Sequence, residues 1–194
     1  MNKDNKNSNQ DINIEDSRAP LISHLIELRD RLKWAVVFFL VSFCFCYYFA
    51  TDIYKFLVAP LYDIYIEKGI ENPRMIYTAL TEAFFTFLKV SFYGALFISF
   101  PIIALQIYKF AAPGLYKEEK KAFLPFLIAT PVLFGSGAAL VYYFIFPLAW
   151  RFFLGFQTST IESGMAIELE AKVNEYLSLV LKLMFAFGLA FQIP

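Results

Sequence analysis

The sequence predicts an all-α integral membrane protein, a polytopic bundle of helices, on three observations. Of its 194 residues 59% are hydrophobic and 20% aromatic. Mean hydropathy is +0.54. Four runs are apolar for about as long as a bilayer is thick. Soluble domains hold about 45–50% apolar residues, and a hydrocarbon core of about 30 Å takes about 20 apolar residues in a helix. Seventeen basic residues balance seventeen acidic ones, so net charge points to neither nucleic acid nor an anionic surface.

The first 18 residues, MNKDNKNSNQDINIEDSR, lack an apolar core and a small-residue cleavage site. They are expected as a disordered tail, not a secretory signal, with residues 19–194 forming the membrane domain. From Pro20 to Leu32, the apolar residues Leu21, Leu25, Leu28 and Leu32 recur at helical spacing and predict a helix on the membrane surface. The first span, about 33–50, is short and ends in Tyr47 and Tyr48, suited to an interfacial aromatic belt. The second, about 84–112, contains Pro101, and the third, about 122–150, contains Pro125 and Pro131. Each proline removes a helical hydrogen bond and invites a bend. The fourth, about 174–194, is still apolar where the sequence stops. It is expected to be incomplete, and the chain a fragment of a longer membrane protein.

Lys and Arg number ten in the N-terminal segment and around the 113–121 loop, against five in the 51–83 and 151–175 loops. That bias predicts a cytoplasmic N-terminus. The outward loops are long enough for short amphipathic helices, such as IYKFLVAPLYDIYI broken by Pro60. Lys89 and Lys182 are expected to snorkel outward. Cys44 and Cys46 point to different faces of one helix and cannot pair, and a single His leaves no metal cluster. No cofactor is expected. Ser136 in GSG lacks a base at matching depth, so an intramembrane enzyme is disfavoured, and these small residues suit close helix packing.

Two charged segments stand out. HLIELRDRL crowds Glu27, Arg29, Asp30, Arg31 and Lys33 before the first span. The bases serve as topology determinants, and Glu27 and Arg31, four apart, can pair. Neither role explains an acid there well, because acids contribute little to topology. FAAPGLYKEEKKAF sets Glu118 and Glu119 among three lysines, which spacing alone reads as a solvated charge run.

HLIELRDRL, APLYD, FFTFLKVSFYGALFISFPIIALQIYKFAAPGLYKEEKK, FPLAWRFF and YLSLVLKLMFAFGLAFQIP, in that order over residues 20–194, closely resemble the TatC family. The resemblance implies a six-span bundle with both termini inside, four spans of which are represented here, in a bacterial cytoplasmic (inner) membrane. It implies a receptor for the twin-arginine signal peptides of folded precursors, driven by the proton-motive force and not an enzyme. Two arginines call for two carboxylates, since a guanidinium accepts a carboxylate bidentately. The family's motif places these acids at Glu27, held open for a visiting cation, and at Glu119, with Glu118 as the competing candidate. Arg29 is assigned to fixing the local geometry, and Phe110, Pro113 and Leu115 to shaping the pocket around the second acid. Gln192 matches a polar position inside the bilayer, either functional or an interhelical hydrogen bond. Implied partners are TatA/TatB-type single-span subunits, further copies of the receptor and the lipid bilayer, with no nucleic acid. The alternative is a secondary transporter of a small solute with a midplane polar site, against which the missing inverted repeat counts.

Overall fold

The computed structural model describes residues 4–70, 72–111, 117–157 and 169–193, with the side chains of 4–21, 23, 111, 117–124, 126 and 127 outside the description. Its helices are α1 (Asp4–Tyr48), α2 (Ala50–Glu67), α3 (Glu82–Ala111), α4 (Lys117–Leu140), α5 (Phe146–Leu154) and α6 (Val173–Ala190). A π-helical turn, Val141–Ile145, joins α4 to α5. Among the described residues the only extended pairing is an isolated parallel bridge between Ile76 and Lys172. The chain is an all-α bundle with four helices long and apolar enough to cross a membrane, His24–Tyr48, Glu82–Phe110, Ile128–Leu154 and Val173–Ala190.

Two expectations change at the first helix and the third span. Backbone helix starts at Asp4, where a disordered tail is expected. The segment before Pro20 holds no Gly or Pro, so nothing in it interrupts a helix propagating from the apolar part. At the third span, α4 begins at Lys117, ahead of the expected 122, because the polar KEEKKA is helical as well.

Pro60 corrects a third expectation. It lies inside α2 and is buried, and the helix runs through it. A proline at position 60 leaves the carbonyl of Phe56, four residues back, without its helical donor. The Tyr142 hydroxyl donates to that carbonyl at 2.7 Å, and the Tyr142 ring stacks on Phe56 with centroids 4.4 Å apart. The Tyr176 hydroxyl donates to the next carbonyl, Leu57, at 3.0 Å. The Tyr142 hydroxyl thus replaces the hydrogen bond that the proline removes, the Tyr176 hydroxyl ties the adjoining turn to α6, and α2 packs into the bundle instead of breaking along the interface.

The core follows from this seating. Leu57, Leu61, Ile64 and Tyr65 of α2 pack with Val90, Phe146, Trp150, Leu154, Tyr176, Leu177 and Val180 from the spans. Elsewhere close packing relies on small residues, as it must where lipid is as apolar as the partner helix. A Cβ on Gly137 would sit 2.6 Å from the carbonyl oxygen of Phe187 and 3.1 Å from the Gly188 Cα. Glycine is therefore what lets the backbones of α4 and α6 touch. Cys46 is buried and Cys44 exposed, with Cys46 Sγ 3.2 Å from where a Cβ on Gly94 would lie.

Candidate functional site

The charged motif occupies successive faces of α1 just before its apolar stretch. Glu27 and Arg31, one turn apart, face the same way, and Arg31 donates through Nε at 3.0 Å, and also through Nη2, to Glu27 Oε1. The expectation that Glu27 stands open is corrected to that extent: one carboxylate oxygen is taken by its own helix. The other, Oε2, is 3.9 Å from His24 Nδ1, beyond hydrogen-bonding distance. Both partners of the ion pair keep contact with solvent, Glu27 at 35% and Arg31 at 24% side-chain exposure.

Arg29 points elsewhere. It donates to Asp30 Oδ1 through Nε at 3.3 Å and Nη2 at 3.2 Å, and Lys33 meets the same oxygen at 3.4 Å. Arg29 makes no hydrogen bond or ion pair to Glu27; of the local geometry it is assigned to fix, it holds Asp30, while Arg31 holds Glu27. The reason is helical phase: residues two apart lie about 200° apart around a helix, whereas four apart lie in line.

Phe110, at the end of α3, is brought to this face by the antiparallel packing of α1 and α3. Its ring stacks on His24 with centroids 4.2 Å apart and 18° between planes. His24, 3.9 Å from Glu27 Oε2, thus links the first-span motif to the end of the second span. Sequence reasoning gives His24 no role; its place three residues before Glu27, hence on the same face, is the available signal. Glu118 and Glu119 lie in the first turn of α4, but their side chains, like Pro113 and Leu115 altogether, fall outside the described residues.

Gln192 joins neither group. Its amide donates to the Thr130 carbonyl at 2.7 Å, tying α6 to α4. At the opposite end of the bundle Lys89, expected to snorkel, instead donates to Asn174 Oδ1 at 2.6 Å and Ser178 Oγ at 2.7 Å. Nearby, Glu82 accepts the backbone N–H groups of Thr78 at 2.9 Å and Ala79 at 3.2 Å, closing the turn that enters α3. A cavity of about 300 Å³ lies beside this turn, lined by Thr78, Glu82, Phe85, Lys172 and Glu175 among others. Its acids and lysine are already engaged, Glu82 by backbone donors and Lys172 by Glu175 at 3.6 Å. The small residues around Ser136 hold no base: its hydroxyl donates to the Leu133 carbonyl at 2.8 Å.

The model of the family described as "Sec-independent protein translocase protein (TatC)" matches residues 23–194. The chain is 51% identical to a Sec-independent protein translocase protein TatC of Magnetococcus marinus over 92% of its own length and 62% of that protein's. It is 46% identical to the one from Rickettsia prowazekii, covering 88% of this chain and 66% of that one. With the Escherichia coli K12 protein of the same name it shares 38% identity over 94% of this chain and 67% of the other. A crystal structure titled as the twin arginine translocase receptor TatC superposes with a TM-score of 0.70 at 36% identity, over 87% of this chain and 70% of that one. The chain thus spans 62% to 67% of the length of these curated relatives.

Proposed function

The chain belongs to the TatC family, a multi-pass membrane protein of the bacterial inner membrane, and from that premise we propose that it is the signal-peptide receptor and core subunit of a twin-arginine translocase exporting folded proteins. The observation that carries the reading is the Glu27 face: a carboxylate with one oxygen unclaimed by any hydrogen bond among the described residues, beside a His24–Phe110 stack contributed by two helices. A carboxylate has about four lone-pair sites. Arg31 occupies Oε1 and leaves Oε2 for a second guanidinium, which approaches in the plane of the carboxylate. Because Glu27 and Arg31 are both partly solvated, their pair is worth at most about 1 kcal/mol, so an arriving arginine can share or displace Arg31 at little cost. A charge-assisted hydrogen bond to a fresh guanidinium contributes about 1.5–3 kcal/mol. Exchange is favoured on these magnitudes.

Glu119 supplies the second carboxylate in this reading, with Glu118 its competitor, and Pro113 and Leu115 border it. The stacked Phe110 gives the signal peptide an apolar wall next to the charges. Asp30 keeps Arg29 and Lys33 occupied, which lowers the repulsion an incoming pair of arginines would meet. Single-span TatA/TatB-type subunits and further receptor copies are the proposed partners within the bilayer.

Site-specific crosslinking tests the reading. A photoreactive group beside the paired arginines of a signal peptide should label residues around 24–31 and 110 in the full-length receptor. Arg-Arg to Lys-Lys in the peptide should lower binding at least tenfold, since lysine offers one point charge where arginine offers a fork. Equal binding of both peptides, or labelling confined to the Lys172 end, defeats the proposal.

A further inference from the structure

His24 is the one histidine among the 194 residues, and its ring nitrogens make no hydrogen bond among the described residues. One face of the ring lies against Phe110 of α3, with centroids 4.2 Å apart and 18° between planes. The Nδ1 edge stands 3.9 Å from Glu27 Oε2. A hydrogen bond there needs about 2.9 Å, so a slide of about 1 Å within the plane of the stack closes the gap, and offset stacking tolerates it. The side chain is 44% exposed, which leaves it room to move and gives protons access.

Oε2 is the oxygen that Arg31 leaves over, since Arg31 holds Oε1. Whether His24 competes for it depends on the charge of the ring. A neutral imidazole has one donor and one acceptor nitrogen, whereas an imidazolium donates from both. The charged ring makes to a carboxylate the same charge-assisted bond that an incoming guanidinium makes, and the face of Phe110 accepts a cation at this centroid distance. Of the ionisable groups around the ring, Glu27 and Arg31 share its face of α1, Tyr108 and Lys109 precede Phe110 on α3, and Lys117, Glu118 and Glu119 open α4. Carboxylates, phenols, ammonium and guanidinium groups ordinarily keep one charge state between about pH 5.5 and 8, and imidazole does not.

We propose that His24 is a proton-dependent competitor of the peptide arginine at Glu27. Protonated, the ring closes onto Oε2 and shuts the site; neutral, it rests on Phe110 and leaves the oxygen to the guanidinium. The proposal rests on the reading of Glu27 as an arginine-binding carboxylate and adds the regulation of that site. Its sign follows from linkage: the peptide displaces the protonated ring from Oε2, so binding releases a proton and affinity rises with pH.

Titration of a histidine-free twin-arginine peptide against the full-length receptor in nanodiscs, at about pH 5.5 and about pH 8, tests this. Binding should be weaker by about fivefold or more at the lower pH. His24→Phe keeps a ring on Phe110 with no proton to give, so it should bind as the unaltered receptor does at the higher pH and change by less than about twofold between the two. Calorimetry of the unaltered receptor at about pH 6.5, in two buffers of different ionisation enthalpy, should show a fraction of one proton released per peptide bound. A purely structural role of the ring would not move that readout, and it decides alone if His24→Phe fails to fold. Equal affinity at both pH values, the same pH dependence in His24→Phe, loss of binding by folded His24→Phe at the higher pH, or no proton release would each overturn the proposal. Failure of the underlying reading looks different: Arg-Arg and Lys-Lys peptides would then bind equally at the higher pH.

Discussion

Removing one oxygen atom, by Tyr142→Phe, tests why α2 runs through its proline. Phenylalanine keeps the ring stacked on Phe56 and takes away only the donor to the Phe56 carbonyl. Pro60 provides no amide to that carbonyl, so the variant leaves a part-buried acceptor without a protein donor, at a cost of about 1 kcal/mol or more. In a Pro60→Ala background the new amide at position 60 satisfies the carbonyl internally, and the same substitution should cost about 0.5 kcal/mol or less. The coupling between the two sites is therefore about 0.5 kcal/mol or more, the range seen for groups that share one partner. Tyr176→Phe serves as the contrast. Its acceptor, Leu57, retains a helical donor at Leu61, so its loss should depend little on residue 60. Reversible unfolding in mixed micelles, followed by far-UV circular dichroism, gives the four free energies. If Tyr142→Phe costs the same with Pro60 in place and in the Pro60→Ala background, within about 0.3 kcal/mol, the hydroxyl is not replacing the missing amide and the account of α2 is wrong.

Other expectations concern packing and the charged face. Gly137→Ala should destabilise by about 1–3 kcal/mol, because its Cβ would meet backbone atoms at 2.6 to 3.1 Å. Gly135→Ala, with nothing within 4 Å, should be neutral or stabilising by up to about 1 kcal/mol; thermal unfolding of both in one detergent makes the comparison. Glu27→Gln should weaken twin-arginine peptide binding about tenfold or more, the equivalent of losing one charge-assisted bond. Arg31→Gln, which frees Oε1, should leave it unchanged or tighten it up to about fivefold; titration of a labelled peptide against receptor in nanodiscs reads both, and a loss with Arg31→Gln comparable to that with Glu27→Gln contradicts the competitor role. Gln192→Leu should cost about 0.6 kcal/mol and under about 2 kcal/mol, measured by the same unfolding assay, if its amide is an interhelical tie to Thr130.

Hydropathy locates the bundle well, because a span must be apolar along its whole length whatever it packs against. The second span illustrates this: about 84–112 is expected and α3 covers Glu82–Ala111. At the third, α4 begins at Lys117, before the apolar run expected from about 122, since KEEKKA is helical as well and a helix does not end where the membrane does. Of the candidate site, the motif order points to Glu27 and Phe110, and the two residues do meet through His24. The Glu27–Arg31 pair is legible from their spacing of four, which sets both on one face, whereas motif position says nothing of rotational phase, and Arg29 turns to Asp30. Lys89 does not snorkel because it finds oxygens on Asn174 and Ser178, 85 and 89 residues along the chain.

Membrane character, the number of spanning runs and the family are sums and strings along the chain, and the sequence alone determined them. The partners were decided only by tertiary structure: a tyrosine 86 residues away completes the helix around Pro60, one glycine brings two backbones together, and one histidine stacks on the end of α3. Apolar content is additive and so can be read residue by residue. A hydrogen bond needs two groups within about 3 Å of each other, and that distance exists only once the helices have packed.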